Sequence, residues 1–417
     1  MIQSSAGSRR RGLKRKKTSK KAHKGAKRQR RRDESVLSLF DLASTQTSVT
    51  NVNNDEIRPM SQTPGDSPFE FRISGQSSMD YLDLKNSQIY VNFKLEKLDG
   101  TSTGELTVDK VGPANLFLQA LFSTVEVTLQ NKATFTCNYN PYRAYIQTIT
   151  NYGSDTATSQ LTSQFFAMDT AKIPKGFNPG PFERATLTVS SKSVDLQGPI
   201  FHDIFSMSKC LINQVDVKIK LYRSSNNFCI VAGDATEYRV SVEDICILAR
   251  KIRVNPTVIY GHSKILENQN ALYPDDKVEV KSVSIATGST TYSWDSMFQW
   301  RRPNKLIIGF VKSKAVSGDY KTNPFNFENC SIQQIAVYCD GLPVGGNPLK
   351  LNFDLTKGAS FIRAYDNLLL SNGKWRHDEG NQLSREHFEC GSALFVFQIE
   401  PDFSHHGEYL SLVTPFS

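Results

Sequence analysis

Three groups of residues have the types and spacing that could do chemistry. His405 and His406, with Asp402 and Glu408 nearby, are donors for a transition metal. Adjacent residues of an extended segment point to opposite faces, so the two imidazoles do not converge on one ion, and a solvated loop is the simpler reading. Asp295, Asp378 and Glu379 are acids without a partner suited to general acid–base work, and surface solvation accounts for them. The seven cysteines, Cys137, Cys210, Cys229, Cys246, Cys330, Cys339 and Cys390, are odd in number and contain no C-x-x-C pair. That supports neither a disulfide framework nor a zinc site, and segments such as CLINQVDV and DICILA suggest buried reduced thiols. The sequon Asn329-Cys330-Ser331 reads as fortuitous, since nothing else points to secretion. Trp294 and Trp300 flank a Met-Phe pair, which fits core or interface packing better than a sugar platform. No G-x-x-x-x-G-K-[ST] loop, G-x-S-x-G elbow or H-E-x-x-H helix occurs. An enzyme is therefore not expected, and neither is a cofactor or a metal.

Charge is the chemistry that remains. Arg9, Arg10, Arg11, Lys14, Arg15, Lys16, Lys17, Lys20, Lys21, Lys24, Lys27, Arg28, Arg30, Arg31 and Arg32 form a block of 15 cations with no acid among them. The rest of the chain holds 35 basic and 41 acidic residues, so the overall +9 hides a mildly acidic body behind a basic tail. Such a block repels itself and buries almost nothing, so residues 1–33 are expected to be disordered. KRKK at 14–17 and KRQRRR at 27–32, split by a spacer, fit a nuclear import signal read by import receptors. The same charges would bind double-stranded DNA without sequence preference by releasing counterions from its phosphates. A merely solubilising tail is the bland alternative. No aromatic residue is interleaved, so base stacking is not indicated.

The elements that would carry these residues are strands. An arm or linker is expected over 34–67: VLSLFDL at 36–42 reads as a loosely held apolar arm, with a short helix or docking segment as the alternative, and a Ser/Thr/Asn/Pro-rich stretch follows over 43–67. Strands are expected at 69–73, 88–98, 123–130, 185–196, 212–223 and 244–254. After a junction over 255–275, a second series is expected at 277–285 (KVEVKSVSI), 305–313, 332–340 and 393–400. No apolar run approaches the roughly 18 to 20 residues of a membrane helix, so no membrane span is expected. The start lacks the apolar segment of a secretory signal.

One element recurs. PYRAYIQTITNYG at 141–153 and SFIRAYDNLLLSNG at 360–373 share Arg-Ala-Tyr and a glycine eight residues past the tyrosine. Each reads as a short amphipathic helix, through Tyr142, Tyr145, Ile149 and Tyr152 in one and Ile362, Tyr365 and Leu369 in the other. Asn140 and Ser360 are expected to cap their starts, and Gly153 and Gly373 to supply left-handed ends. Ahead of each lies an alternating strand and a hairpin, with tips at Asn131-Lys132 and Asp340-Gly341. The repeated order of strand, hairpin and helix points to an internal duplication. Arg143 and Arg363 read as solvated or locally paired helix residues, or else as subunit contacts. The fold expected is all-β, with two antiparallel sandwiches at 68–256 and 257–417; a jelly roll fits, as do other Greek-key sandwiches.

Beyond the repeat, FEFRISGQSSMDYLDLKNSQIYVNFKLEKLDG at 69–100, VGPANLFLQALFSTVEVTLQNK at 111–132, NPYRAYIQTITNYG at 140–153 and LINQVDVKIKLYRSSNNFCI at 211–230 resemble the major capsid (hexon-like) protein of Polinton or Maverick elements and adintoviruses. GNQLSREHFECGSALFVFQIEPD at 380–402 resembles the same family. The resemblance implies a double jelly-roll subunit, a homotrimer of pseudo-sixfold outline that builds a shell with minor capsid proteins around double-stranded DNA. It places the protein in the virion, and in the host nucleus during assembly. It also implies a second jelly roll truncated at its C-terminus: counting from Arg363 as from Arg143, about 30 to 60 residues of final strands are wanting. The alternative is a host-adopted nuclear DNA-associated sandwich protein that no longer assembles.

Overall fold

The computed structural model describes residues 46–60, 68–75, 79–105, 111–169, 179–233, 236–298, 302–345, 347–354, 356, 358–376 and 378–400. Contacts divide the chain at Thr50, and the larger unit, Asn51–Ser417, holds the fold described below.

Eight strands of the first half build two four-stranded sheets. One runs in the order β1 (Val49–Ile57), β10 (Tyr238–Val254), β3 (Asp80–Lys97), β7 (Val194–Pro199). The other runs β2 (Phe69–Ile73), β8 (Val217–Arg223), β5 (Phe122–Leu129), β6 (Ala133–Asn138). Two further short strands, β4 (Val111–Pro113) and β9 (Ile230–Ala232), pair with each other. Early and late strands interleave within each sheet, which is the order of a jelly roll. The period-2 pattern explains the faces. Ile89, Val91, Phe93 and Leu95 of β3 are buried, as are Val217, Ile219 and Leu221 of β8 and Val125 and Val127 of β5.

The second half repeats part of this plan. β11 (Lys305–Gly309) pairs antiparallel with β16 (Leu394–Gln398), as β3 pairs with β7. β12 (Gln334–Ile335) pairs with β15 (Leu349–Lys350), and β13 (Tyr338–Cys339) with β14 (Leu342–Pro343); together they form one interrupted hairpin, the counterpart of β5–β6. Both hairpins turn through two residues of positive φ, Gln130 (49°) and Asn131 (55°) in one and Asp340 (51°) and Gly341 (80°) in the other, the geometry whose twist suits paired strands. The first tip is therefore Gln130-Asn131, one residue earlier than the sequence suggested. A helix follows each hairpin: α1 (Asn140–Asn151) and, later, α4 (Ile362–Ser371).

The structure corrects several expectations. Residues 49–57, read as linker, form β1. This strand is exposed along most of its length, so hydrophobic alternation is missing, and it is held by its ladder to β10 and by the Lys251–Asp55 ion pair at 2.8 Å. Residues 185–191, read as strand, continue a helix, α2 (Pro179–Thr188), and a 3-10 turn. Its β-branched threonines are accommodated because Thr186 Oγ1 donates to the Phe182 carbonyl at 2.8 Å and Thr188 Oγ1 to that of Ala185 at 3.3 Å. KVEVKSVSI at 277–285 forms no strand. In the first half β1 is zipped onto β10, and no described strand takes the place of β10 in the second half. Instead the Val278 N–H donates to the Asp203 carboxylate at 3.1 Å and Ser282 Oγ to the Tyr139 hydroxyl at 2.8 Å, strapping the segment to the first half. The stretch 255–275 contains a capped helix, α3 (Pro256–Leu266), whose N-cap Asn255 accepts from Thr257 N–H at 3.0 Å.

Candidate assembly site

The two halves meet on α1. Tyr142 and Tyr145 stand three residues apart on one helical face. The Tyr145 ring stacks on Phe325, a residue of the second half, with centroids 4.4 Å apart and planes at 16°. Tyr142 meets Phe325 and Phe327 edge-on at 5.9 Å and 6.4 Å, and Phe228 closes the cluster. Each such contact adds about 0.5–1.5 kcal/mol beyond area burial. Burial pushes both phenols well above their ordinary range, so they stay neutral. The helix serves both halves, and one apolar cluster runs from Phe71 to Phe397.

The ends of α1 differ from the sequence reading. Its N-cap position is Tyr139, at φ 55°, with no side-chain cap. Asn140 sits inside the helix and donates from Nδ2 to the Phe122 carbonyl at 3.2 Å. Gly153 is extended (φ −73°), not left-handed, because the second half takes over the capping. Gln382 N–H donates to the Ile149 carbonyl at 3.1 Å, Asn372 Nδ2 to that of Thr150 at 3.3 Å, and Gln382 Nε2 to that of Gly153. Ser360 is likewise no cap of α4; it exchanges backbone hydrogen bonds with Asn352, while Gly373 does adopt φ 66°. On α4 the buried residues are Ala364 and Leu368, while Ile362 is exposed.

The two repeat arginines have parted roles. Arg143 is buried, and its Nη2 lies 2.7 Å from Asp203 Oδ1, while Nη1 donates to Cys137 Sγ at 3.5 Å. Arg363 is exposed. Beside the Arg143–Asp203 pair, His202 Nδ1 accepts from Ile204 N–H and Nε2–H donates to the Phe135 carbonyl, both at 3.2 Å. Burial, aided by the nearby Arg143 charge, lowers the His202 pKa to about 4. A second buried pair joins α2 to the seam. Arg184 Nη2 donates to Asp169 Oδ1 at 2.9 Å, and Asn323 Nδ2, from the second half, donates to Oδ2 of the same carboxylate at 2.8 Å. Neither buried pair was legible beforehand. Charge signs are visible in a sequence, but their partners lie on other elements.

The sheets of the second half leave edges without strand partners. In the first half β3 lies between β10 and β7, and β5 between β8 and β6. Among the described residues β11 pairs only with β16, and the β12–β15 hairpin pairs only within itself. Accordingly Leu306, Ile307 and Ile308 are only partly buried, whereas Val91, Phe93 and Leu95 of β3 are fully so. Large exposed apolar side chains, Tyr338, Leu342 and Trp375 among them, lie on the same half, and Tyr260 and Leu272 on the connection leading into it.

The 15 tail cations proposed for nucleic-acid contact or import, Arg9 to Arg32, lie outside the described residues, as do VLSLFDL, Trp300, and the group Asp402, His405, His406 and Glu408. Among the described residues no cluster of three or more His, Cys, Asp or Glu could hold a metal, and no helix is long and apolar enough to cross a membrane. All seven cysteines are free thiols. Cys137, Cys229 and Cys246 are buried, whereas Cys330 is exposed.

No family model matches the chain. It is 24% identical over 376 residues to an uncharacterized protein of Caenorhabditis elegans, covering 86% of each chain. Among solved structures it is similar to a chain of the Sputnik virophage (13% identity, TM-score 0.36, covering 52% of this chain and 51% of that one). It is also similar to the major capsid proteins of mavirus (13%, TM-score 0.33, 53% of this chain and 50% of that one) and Faustovirus (8%, TM-score 0.32, 55% and 58%). The chain thus spans about half the length of these virus chains.

Proposed function

We propose that the protein is a structural capsid subunit of the double jelly-roll type rather than an enzyme. Three copies associate into a pseudo-hexagonal tile, tiles build a shell, and residues 1–33 contact the phosphates of packaged double-stranded DNA and serve nuclear import. The observation that carries the reading is the jelly-roll strand order of the first half, with its β3–β7 and β5–β6 pairings repeated as β11–β16 and β12–β15. A sandwich alone hosts many functions. Doubling is what adds specificity: three chains of two similar blocks place six blocks around one axis, so a closed symmetric oligomer imitates a hexagon. Of the Polinton-like segments, 69–100, 111–132, 140–153 and 211–230 belong to the first half and 380–402 to the second, and the open edges of the second half offer strand pairing to further chains.

A second reading has its own support. The nematode relative spans most of this chain, which fits retention by an animal host, and the basic tail would then serve a nuclear protein that binds DNA without assembling. Electron microscopy and light scattering of the purified full chain separate the two. Hexagonal trimers or larger shells are the expected result; monodisperse monomers that bind DNA would overturn the shell reading in favour of the second.

A further inference from the structure

A cavity of about 240 Å³ opens beside the edge strand β7, lined by Gln88, Tyr152, Gln160, Ser163, Gln164, Gln197 and neighbouring residues of the same elements. None of its lining residues carries a formal charge at neutral pH, and amides dominate the polar wall. Three elements bring them together: the β3–β7 ladder supplies Gln88 and Gln197, the short 3-10 turn Gln160–Gln164 lies over the β7 edge, and Tyr152 follows the end of α1. The turn is fixed there, since Ser163 Oγ donates to the Gln197 carbonyl at 2.8 Å.

Gln164 is the telling residue. It is 3% exposed, and its Oε1 accepts from Gln119 Nε2 at 3.0 Å, an amide that also donates to the Pro199 carbonyl at 2.8 Å. The Gln164 Nε2 donors have no protein partner among the described residues, although the side chain is buried and lines the cavity. Those donors open into the cavity, where water or a ligand oxygen can accept from them, while the rest of the side chain is held by its bond to Gln119. The site is also shaped for closeness: a Cβ at Gly198 would come within 2.5 Å of the Gln164 side chain, so only glycine lets that amide lie flat on β7. At the rim, exposed Gln197 donates from Nε2 to Gln88 Oε1 and exposed Gln160 accepts at Oε1 from Ser159 Oγ, which leaves the Gln197 side-chain oxygen and the Gln160 amide N–H groups for a ligand.

We infer that this cavity is a binding site for a neutral, hydroxyl-rich ring, a saccharide unit. Amide donors and acceptors pair with hydroxyls of both senses, the Tyr152 side chain offers an apolar wall for ring C–H groups, and the lack of formal charge disfavours anionic and cationic ligands. The volume lies just below the roughly 300 Å³ at which drug-sized pockets begin, which fits one ring rather than an extended chain.

The test uses the full-length chain with mannose, galactose, N-acetylglucosamine, sialic acid and the amide-rich peptide Gly-Gln-Gly-Gln as probes, read by saturation-transfer NMR and calorimetry. At least one neutral sugar is expected to bind. Gln160→Ala and Gln197→Ala, both at exposed positions, are expected to weaken that binding tenfold or more with the thermal midpoint unchanged. Gln164→Leu is expected to abolish it. Failure of every neutral sugar to bind, binding by sialic acid or the peptide alone, or sugar binding indifferent to the two rim variants would each overturn the assignment. None of these outcomes bears on shell assembly.

Discussion

At the scale of single residues the interior is held by charges that water does not reach. The Arg184–Asp169 pair is enclosed, and Asn323 makes the same carboxylate a tie between the halves. Breaking a buried pair strands its partner. Asp169→Leu is therefore expected to cost roughly 3–5 kcal/mol in chemical denaturation, while the double change with Arg184→Met should recover most of that loss. His202 gives a second handle. Its folded pKa of about 4 lies below the unfolded value of about 6.5, so the unfolded chain binds the proton first. The neutral ring's contribution is present above about pH 6.5, is lost as pH falls toward 4, and is on the order of 3 kcal/mol in all. Denaturation midpoints of His202→Gln should lack this slope between pH 6.5 and 4. From sequence Arg143 and Arg363 are indistinguishable, because three shared letters carry no burial; Asp203, which decides the difference, opens a short helix 60 positions on, Asp203–Ser206.

At the scale of elements, α1 acts as the post against which the second half is seated. Tyr145→Ala and Phe325→Ala each remove one ring of a stack and should cost about 3–5 kcal/mol. Because the two rings touch, the double variant should cost less than the sum of the singles, as urea titrations will report. Strands buried on one face were legible: β3, β5 and β8 alternate cleanly, and the second hairpin turn announced itself at Asp340-Gly341 while the first was placed one residue late. β1 was not, because a solvated edge strand needs no apolar face. The helical stretch at 185–188 was not either, since threonines and alternation favoured a strand while local hydroxyl bonds and the burial of Arg184 and Ala185 decided for a helix. KVEVKSVSI shows the converse. It has the residues of a strand, yet alternation forms a ladder only where a neighbour supplies one.

At the scale of the whole molecule, the duplication was legible because order survives when identity fades. The seam was not, because nothing in one copy of the repeat says that its helix will also face the other copy. The basic tail is the most separable part of the proposed function. Deleting residues 1–33 should leave the thermal transition of the body unchanged while removing most DNA retention at low salt, which a filter-binding series over ionic strength would show; undiminished binding would assign the contact to the acidic body instead. The continuous apolar cluster from Phe71 to Phe397 also constrains mechanics. With Tyr145 wedged against Phe325 and the carbonyls of Ile149, Thr150 and Gly153 taken by Gln382 and Asn372, the described residues of the two halves share one interior rather than meeting at a wet hinge. In the shell proposed above, plates joined internally in this way would leave curvature to be gathered in the joints between them.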